Sequence, residues 1–148
     1  MNAATLDVTL PDGSVRTLPA GSTGLDLAQS IGSRLAKAAL AAVVDGNEVD
    51  ISVPLSNGAQ VAIITADSDA GRHVLRHSTA HVLAQAVLQH FPGAKFTIGP
   101  AIEDGFYYDF ELPDNKTFSD NDLAAITERM RAIVKADQPF VRAEMSAA

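Results

Sequence analysis

Between Ala4 and Thr65 the apolar residues change their period twice, and few folds accommodate that order. In "ATLDVTLPDGSVRTLP" Leu6, Val8 and Leu10 alternate on one side, the chain turns through Pro11, Asp12 and Gly13, and Val15 and Thr17 resume the pattern. Such alternation about a glycine-containing turn predicts a β-hairpin. "STGLDLAQSIG" then offers Ser22 or Thr23 as an N-cap, Leu25, Ala28 and Ile31 at helical spacing, and Gly32 as a stop. "LAAVVDGNEVD" returns to a strand entering a turn at Asp45, Gly46 and Asn47. "LSNGAQVAIIT" places a second Asn-Gly turn before an apolar strand ending near Thr65.

One amphipathic helix lying across a small mixed sheet buries both apolar faces within about 65 residues, near the lower limit for independent folding. The expected arrangement is a ubiquitin-like β-grasp. "ADSDAG" then shifts the composition to small and acidic residues, which puts a boundary between Ala66 and Gly71. Beyond it a helix is expected from about Asp69 to Phe91, stopped by Pro92 and Gly93. "AKFTIGPAIEDGFYYDFEL" predicts strands around a break at Gly99 and Pro100 and a turn at Glu103, Asp104 and Gly105. "FSDNDLAAITERMRAIVKADQ" predicts a second helix, with Ser119 and Asp122 as an aspartate version of the capping box. "PFVRAEM" is expected as a final strand.

Composition narrows the chemistry. The 148 residues include no cysteine, which excludes disulfides, a cysteine nucleophile and thiolate zinc sites within this chain. A formal charge of −7 disfavours an autonomous binder of nucleic acid, because phosphate contacts draw on an excess of Lys and Arg. Apolar runs such as "LAKAALAAVV" are far shorter than the roughly 20 residues of a membrane helix, and the N-terminus lacks a basic-then-apolar signal.

All four histidines, His73, His77, His81 and His90, fall on the helix expected after the boundary. At about 100° per residue the first three lie within an arc of about 80° and share a face. Ala84 and Leu88 continue that face, Ser78, Gln85 and Gln89 form a polar stripe beside it, and Leu75, Val82 and Ala86 are expected on the core side. His90 lies past the shared face, where a hydrogen-bonded boundary role is expected. In "HSTAH" the i, i+4 spacing converges two imidazoles on one small volume. A zinc hydrolase with this spacing carries Glu directly after the first histidine, but Ser78 stands there. Asp104, Asp109 and Glu111 are expected as turn and strand-edge acids rather than ligands.

Taken jointly, "LPDGSVRTLPAGST", "AAVVDGNEVDISVPL" and "RHSTAHVLAQAVLQHFPGAKFTIGPAIEDGFYYDFEL" resemble the N-terminal region of the bacterial threonyl-tRNA synthetase family, over nearly the whole chain. The resemblance implies an α+β chain in which residues 1–66 form a β-grasp TGS domain and residues 67–148 the N-terminal part of the tRNA-editing domain. TGS domains occur in other proteins, but those do not continue into "RHSTAHVLAQA" and "GFYYDFEL". The family's HxxxH histidines line the editing pocket, which implies His77 and His81 here. Tyr108 of "GFYYD" is implied as a third pocket residue, its hydroxyl reaching the terminal adenosine or the aminoacyl group. Tyr107, on the opposite face of a strand, is expected to pack.

The implied activity is that of a threonine tRNA ligase that hydrolyses mischarged seryl-tRNA(Thr). The acceptor end of tRNA(Thr) is the implied partner, with no membrane and a cytoplasmic location. No cofactor is expected in this chain; ATP, magnesium and zinc would belong to the absent catalytic core, and homodimerisation to absent domains. The family's second editing motif, bearing a cysteine and a histidine, lies further downstream, so an N-terminal fragment inactive by itself is expected. Two other readings stand beside this one: a non-catalytic module that binds RNA or a partner, and a free-standing trans-editing or zinc hydrolase.

Overall fold

The computed structural model describes residues 4–139 and, beyond them, 141, 143, 144 and 146. The chain divides into two compact units, one ending at Leu75 and one beginning at Arg76.

The first unit opens with the expected hairpin, β1 (Thr5–Thr9) and β2 (Val15–Pro19), in antiparallel register with Leu6 opposite Leu18. Helix α1 (Gly24–Ile31) follows. Thr23 caps it: its hydroxyl accepts from the Asp26 N–H at 3.3 Å while the Asp26 carboxylate accepts from the Thr23 N–H at 2.8 Å. A short α2 (Ser33–Ala38), which the sequence reading did not separate, leads into β3 (Ala39–Val44). β3 is the centre of a three-stranded antiparallel sheet between β4 (Asn47–Asp50) and β5 (Val61–Thr65). Asp45 and Gly46, at φ 50° and 83°, make the β3–β4 turn, a left-handed pair that suits the twist of a tight hairpin. A parallel bridge between Thr9 and Gln60 ties β1 to the lead into β5, so the hairpin and the three-stranded sheet form one mixed layer. This is the β-grasp.

Leu6, Val8, Leu18, Leu27, Ala42, Leu55, Ala59 and Val61 form its core. The helix buries a different stripe from the one its spacing suggested. Gly24, Leu27 and Ala28 face inward, whereas Leu25 is 45% and Ile31 38% exposed. Packing against β3 sets the phase, with Gly24 close to Ala42, and i, i+3, i+4 from Gly24 becomes the inner line.

Helix α3 (Asp69–His90) matches the expected element to within one residue. Ser68 caps it, its hydroxyl accepting from the Gly71 N–H at 3.0 Å and donating to the Thr65 carbonyl at 2.9 Å. Gly71 has no room for a side chain, since a Cβ there would stand 1.8 Å from that same carbonyl oxygen. Leu75, expected on the core side, is 42% exposed.

In the second unit α3 is followed by four two-residue strands, β6 (Lys95–Phe96), β7 (Ala101–Ile102), β8 (Gly105–Phe106) and β9 (Phe110–Glu111). They pair as β6 with β9 and β7 with β8, the latter through the expected turn at Glu103 and Asp104. The strands are shorter than the aromatic density suggested. Pro100 cannot donate to a ladder and breaks the segment between β6 and β7. Helix α4 (Asp120–Ala136) carries the predicted capping box at Ser119 and Asp122. Ala86, Val87, Ala94, Leu112, Ile126 and Ile133 form this unit's core between α3 and α4. Of the strand expected over 139–145, residues 140, 142 and 145 lie outside the described residues, and 139, 141, 143 and 144 are not in a strand. No helix among the described residues is long and apolar enough to cross a membrane.

Candidate functional site

α3 holds the chemistry-bearing side chains because its spacing does. His77 and His81 stand one turn apart, and their Nε2 atoms meet at 3.0 Å with the rings edge to face, centroids 4.7 Å apart. In such a contact one ring nitrogen donates and the other accepts, the tautomers deciding which does which. Both rings are exposed. A ring nitrogen outside that contact can accept a proton from a water, which is what general-base hydrolysis requires.

The stripe beside the pair borders a recess of about 410 Å³. Ser78, Val82 and Gln85 of α3 form one wall, and the end of α4 with Gln138 forms the other. Gln85 Nε2 donates to Gln138 Oε1 at 3.0 Å across it. The imidazoles stand next to this recess on the helix but do not line it. The polar stripe was visible in the sequence as Ser78, Gln85 and Gln89; the recess was not, because its far wall comes from residues more than 50 positions away.

His73 is exposed, on α3. His90 makes the hydrogen bond expected of it. Its Nε2 lies 2.9 Å from Asp122 Oδ1, joining the end of α3 to the start of α4. The other oxygen of Asp122 accepts from the Ser119 N–H at 2.9 Å and hydroxyl at 2.6 Å. The Ser119 hydroxyl first, and then His90, hold the Asp122 carboxyl down at a pKa of about 2 from the ordinary 3.8.

Of the two tyrosines, Tyr107 departs from its expected place. Tyr107, expected to pack, is 64% exposed. Tyr108 is the packed ring: Phe110 stacks on it with centroids 4.9 Å apart, and Phe96 lies 5.9 Å away. The reason is that neither residue lies in a strand; both fall in the irregular link between β8 and β9, where strict alternation does not apply. No hydrogen-bond partner of the Tyr108 hydroxyl occurs among the described residues. No group of three or more His, Asp or Glu side chains placed to hold a metal occurs among the described residues, and Asp104, Asp109 and Glu111 do not join the histidines.

Comparison with known proteins adds a second line of evidence. The family model described as the TGS domain matches residues 6–65. A threonine-tRNA ligase of Citrifermentans bemidjiense is 54% identical over 143 residues, which is 97% of this chain and 22% of that protein. A threonine-tRNA ligase of Maricaulis maris is 56% identical over 93% of this chain and 21% of its own length. One from Chlorobium phaeovibrioides is 51% identical over 95% of this chain, again 21% of the relative. The chain thus spans about a fifth of the length of the curated relatives it matches.

Proposed function

We infer function from the premise that this chain, with its TGS domain at residues 6–65, matches the N-terminal region of the threonine-tRNA ligase family. On that premise residues 67–148 are the opening part of an editing domain, and the chain works within a ligase that clears serine from tRNA(Thr). The ligase's ATP-driven charging, its metal ions and any dimer contacts belong to other parts of such an enzyme.

The need for editing follows from size. Serine lacks one methyl of threonine, and a pocket built for threonine penalises that loss by only about 1–3 kcal/mol. Some tRNA is therefore mischarged, and a second site that admits the smaller seryl group can remove it. The reaction is ester hydrolysis: water attacks the seryl carbonyl, the tetrahedral intermediate collapses, and the ribose hydroxyl leaves with a proton. The ester is already labile, so the site has to orient water, accept its proton and steady the developing oxyanion. The His77–His81 pair can take the proton, and the Tyr108 hydroxyl can donate to the oxyanion or the terminal ribose.

The observation that carries this reading is the 3.0 Å convergence of the Nε2 atoms of two exposed rings on α3. Exposure also predicts what the chain lacks alone. In water a polar group aimed at a developing charge is worth far less than in a closed site. The test is release of serine from seryl-tRNA(Thr) by a full-length ligase bearing this sequence as its N-terminal region. His77→Ala and His81→Ala should each slow release by about 10²- to 10⁴-fold, and the isolated chain should release serine no faster than buffer. Wild-type rates in both variants would remove the reading.

A further inference from the structure

We propose that Gly99 is a positioning residue for Tyr108, acting by presenting bare backbone to its ring so that the hydroxyl is held at one place. The inference rests on the editing reading of Tyr108 and goes beyond it, to what aims the hydroxyl.

Gly99 approaches the ring so closely that a Cβ there would stand 2.1 Å from Cδ2, 2.3 Å from Cε2 and 2.8 Å from Cγ. Its φ does not lie in the left-handed region, so backbone freedom is not the reason for glycine. Space is. The encroached atoms run along one edge of the ring, from Cγ at its base to Cε2 beside the hydroxyl-bearing carbon. Turning about the Cβ–Cγ bond would leave the hydroxyl in place, since it lies on that axis, and the Phe110 ring stacked on the face hinders that turn. Relief has to come from rotation about Cα–Cβ, which swings the ring as a body and carries the hydroxyl furthest. Phe110 fixes the ring from its own side, stacked at an interplanar angle of 16°. Ring and backbone are therefore locked while the hydroxyl makes no hydrogen bond among the described residues. A rigid aromatic stem ending in an uncommitted donor is how a fold holds a group ready for a ligand, and a misplacement of about 1 Å in such a group costs on the order of 10²-fold in rate.

Gly99→Ala adds only the methyl. In the full-length ligase it should lower single-turnover seryl-tRNA hydrolysis by about 10- to 100-fold while leaving tRNA affinity unchanged, as should Tyr108→Phe. The double variant should be no slower than the slower single one, because Gly99 acts only through that hydroxyl. Phe110→Leu, which removes the stacking partner without intruding, should give a smaller loss that also vanishes in the Tyr108→Phe background. Near-ultraviolet circular dichroism of this chain carrying Tyr107→Phe reports on the single remaining tyrosine, and its band should weaken on Gly99→Ala. Full activity in Gly99→Ala, or losses that multiply with Tyr108→Phe, would overturn the proposal. If Tyr108→Phe itself hydrolyses normally, the role of the tyrosine falls and the proposal with it, whereas the His77 and His81 variants still judge the editing reading separately.

Discussion

At the residue scale the Asp122 carboxylate shows how one side chain serves two elements. One oxygen completes the capping box of α4 with Ser119, and the other meets His90 at the end of α3. Both contacts favour the charged form, which is why its pKa falls to about 2 from 3.8. A depressed carboxyl stabilises the fold fully above its unfolded pKa and loses that contribution as pH drops through the folded one. The window here runs downward from 3.8 to about 2. Thermal melts across that window should show the wild-type chain losing stability more steeply than Asp122→Asn, with Ser119→Ala intermediate. Equal slopes would mean that the contacts do not favour the ionised carboxylate. The His77–His81 contact differs in kind, since it joins two groups on one helix and fastens no second element. The i, i+4 spacing brings the two imidazoles within 3.0 Å of each other, and the contact ties α3 to no other element.

At the scale of elements, α1 gives the sharpest test of packing. Leu27 is completely buried among Leu6, Val8 and Val61, whereas Leu25, two positions earlier, is 45% exposed. Leu27→Ala should destabilise the first unit by about 2–5 kcal/mol, and Leu25→Ala by no more than about 0.5 kcal/mol. Denaturant unfolding separates them, and comparable losses would contradict the observed phase of the helix. This element also marks where the sequence stopped being legible. The hairpin, both Gly-containing turns, the extent of α3 and the Ser119 capping box could all be read, because each is written in neighbouring residues. The buried stripe of α1 could not, since Leu25, Ala28 and Ile31 fit a helical period as well as Gly24, Leu27 and Ala28 do, and only packing against β3 chooses. Tyr108 fared likewise: its motif was readable, but its clamp depends on Gly99 and Phe110 approaching across an irregular link.

At the scale of the whole molecule, two units are described, and the histidine helix begins in one and ends in the other. With a charge of −7 the chain has little electrostatic pull on RNA by itself, so on the proposed reading the pull on an acceptor end comes from other regions of a full-length ligase. Relatives of which this chain spans about a fifth have ample sequence to supply it. The most direct measurement, on a full-length ligase bearing this sequence, is charging of tRNA(Thr) with serine supplied in place of threonine. A ligase bearing this chain with both His77→Ala and His81→Ala should accumulate seryl-tRNA(Thr) while its threonylation rate stays at the wild-type value. The unaltered enzyme should accumulate none. A doubly substituted enzyme that still keeps its tRNA free of serine would contradict the assignment of the imidazole pair to ester hydrolysis.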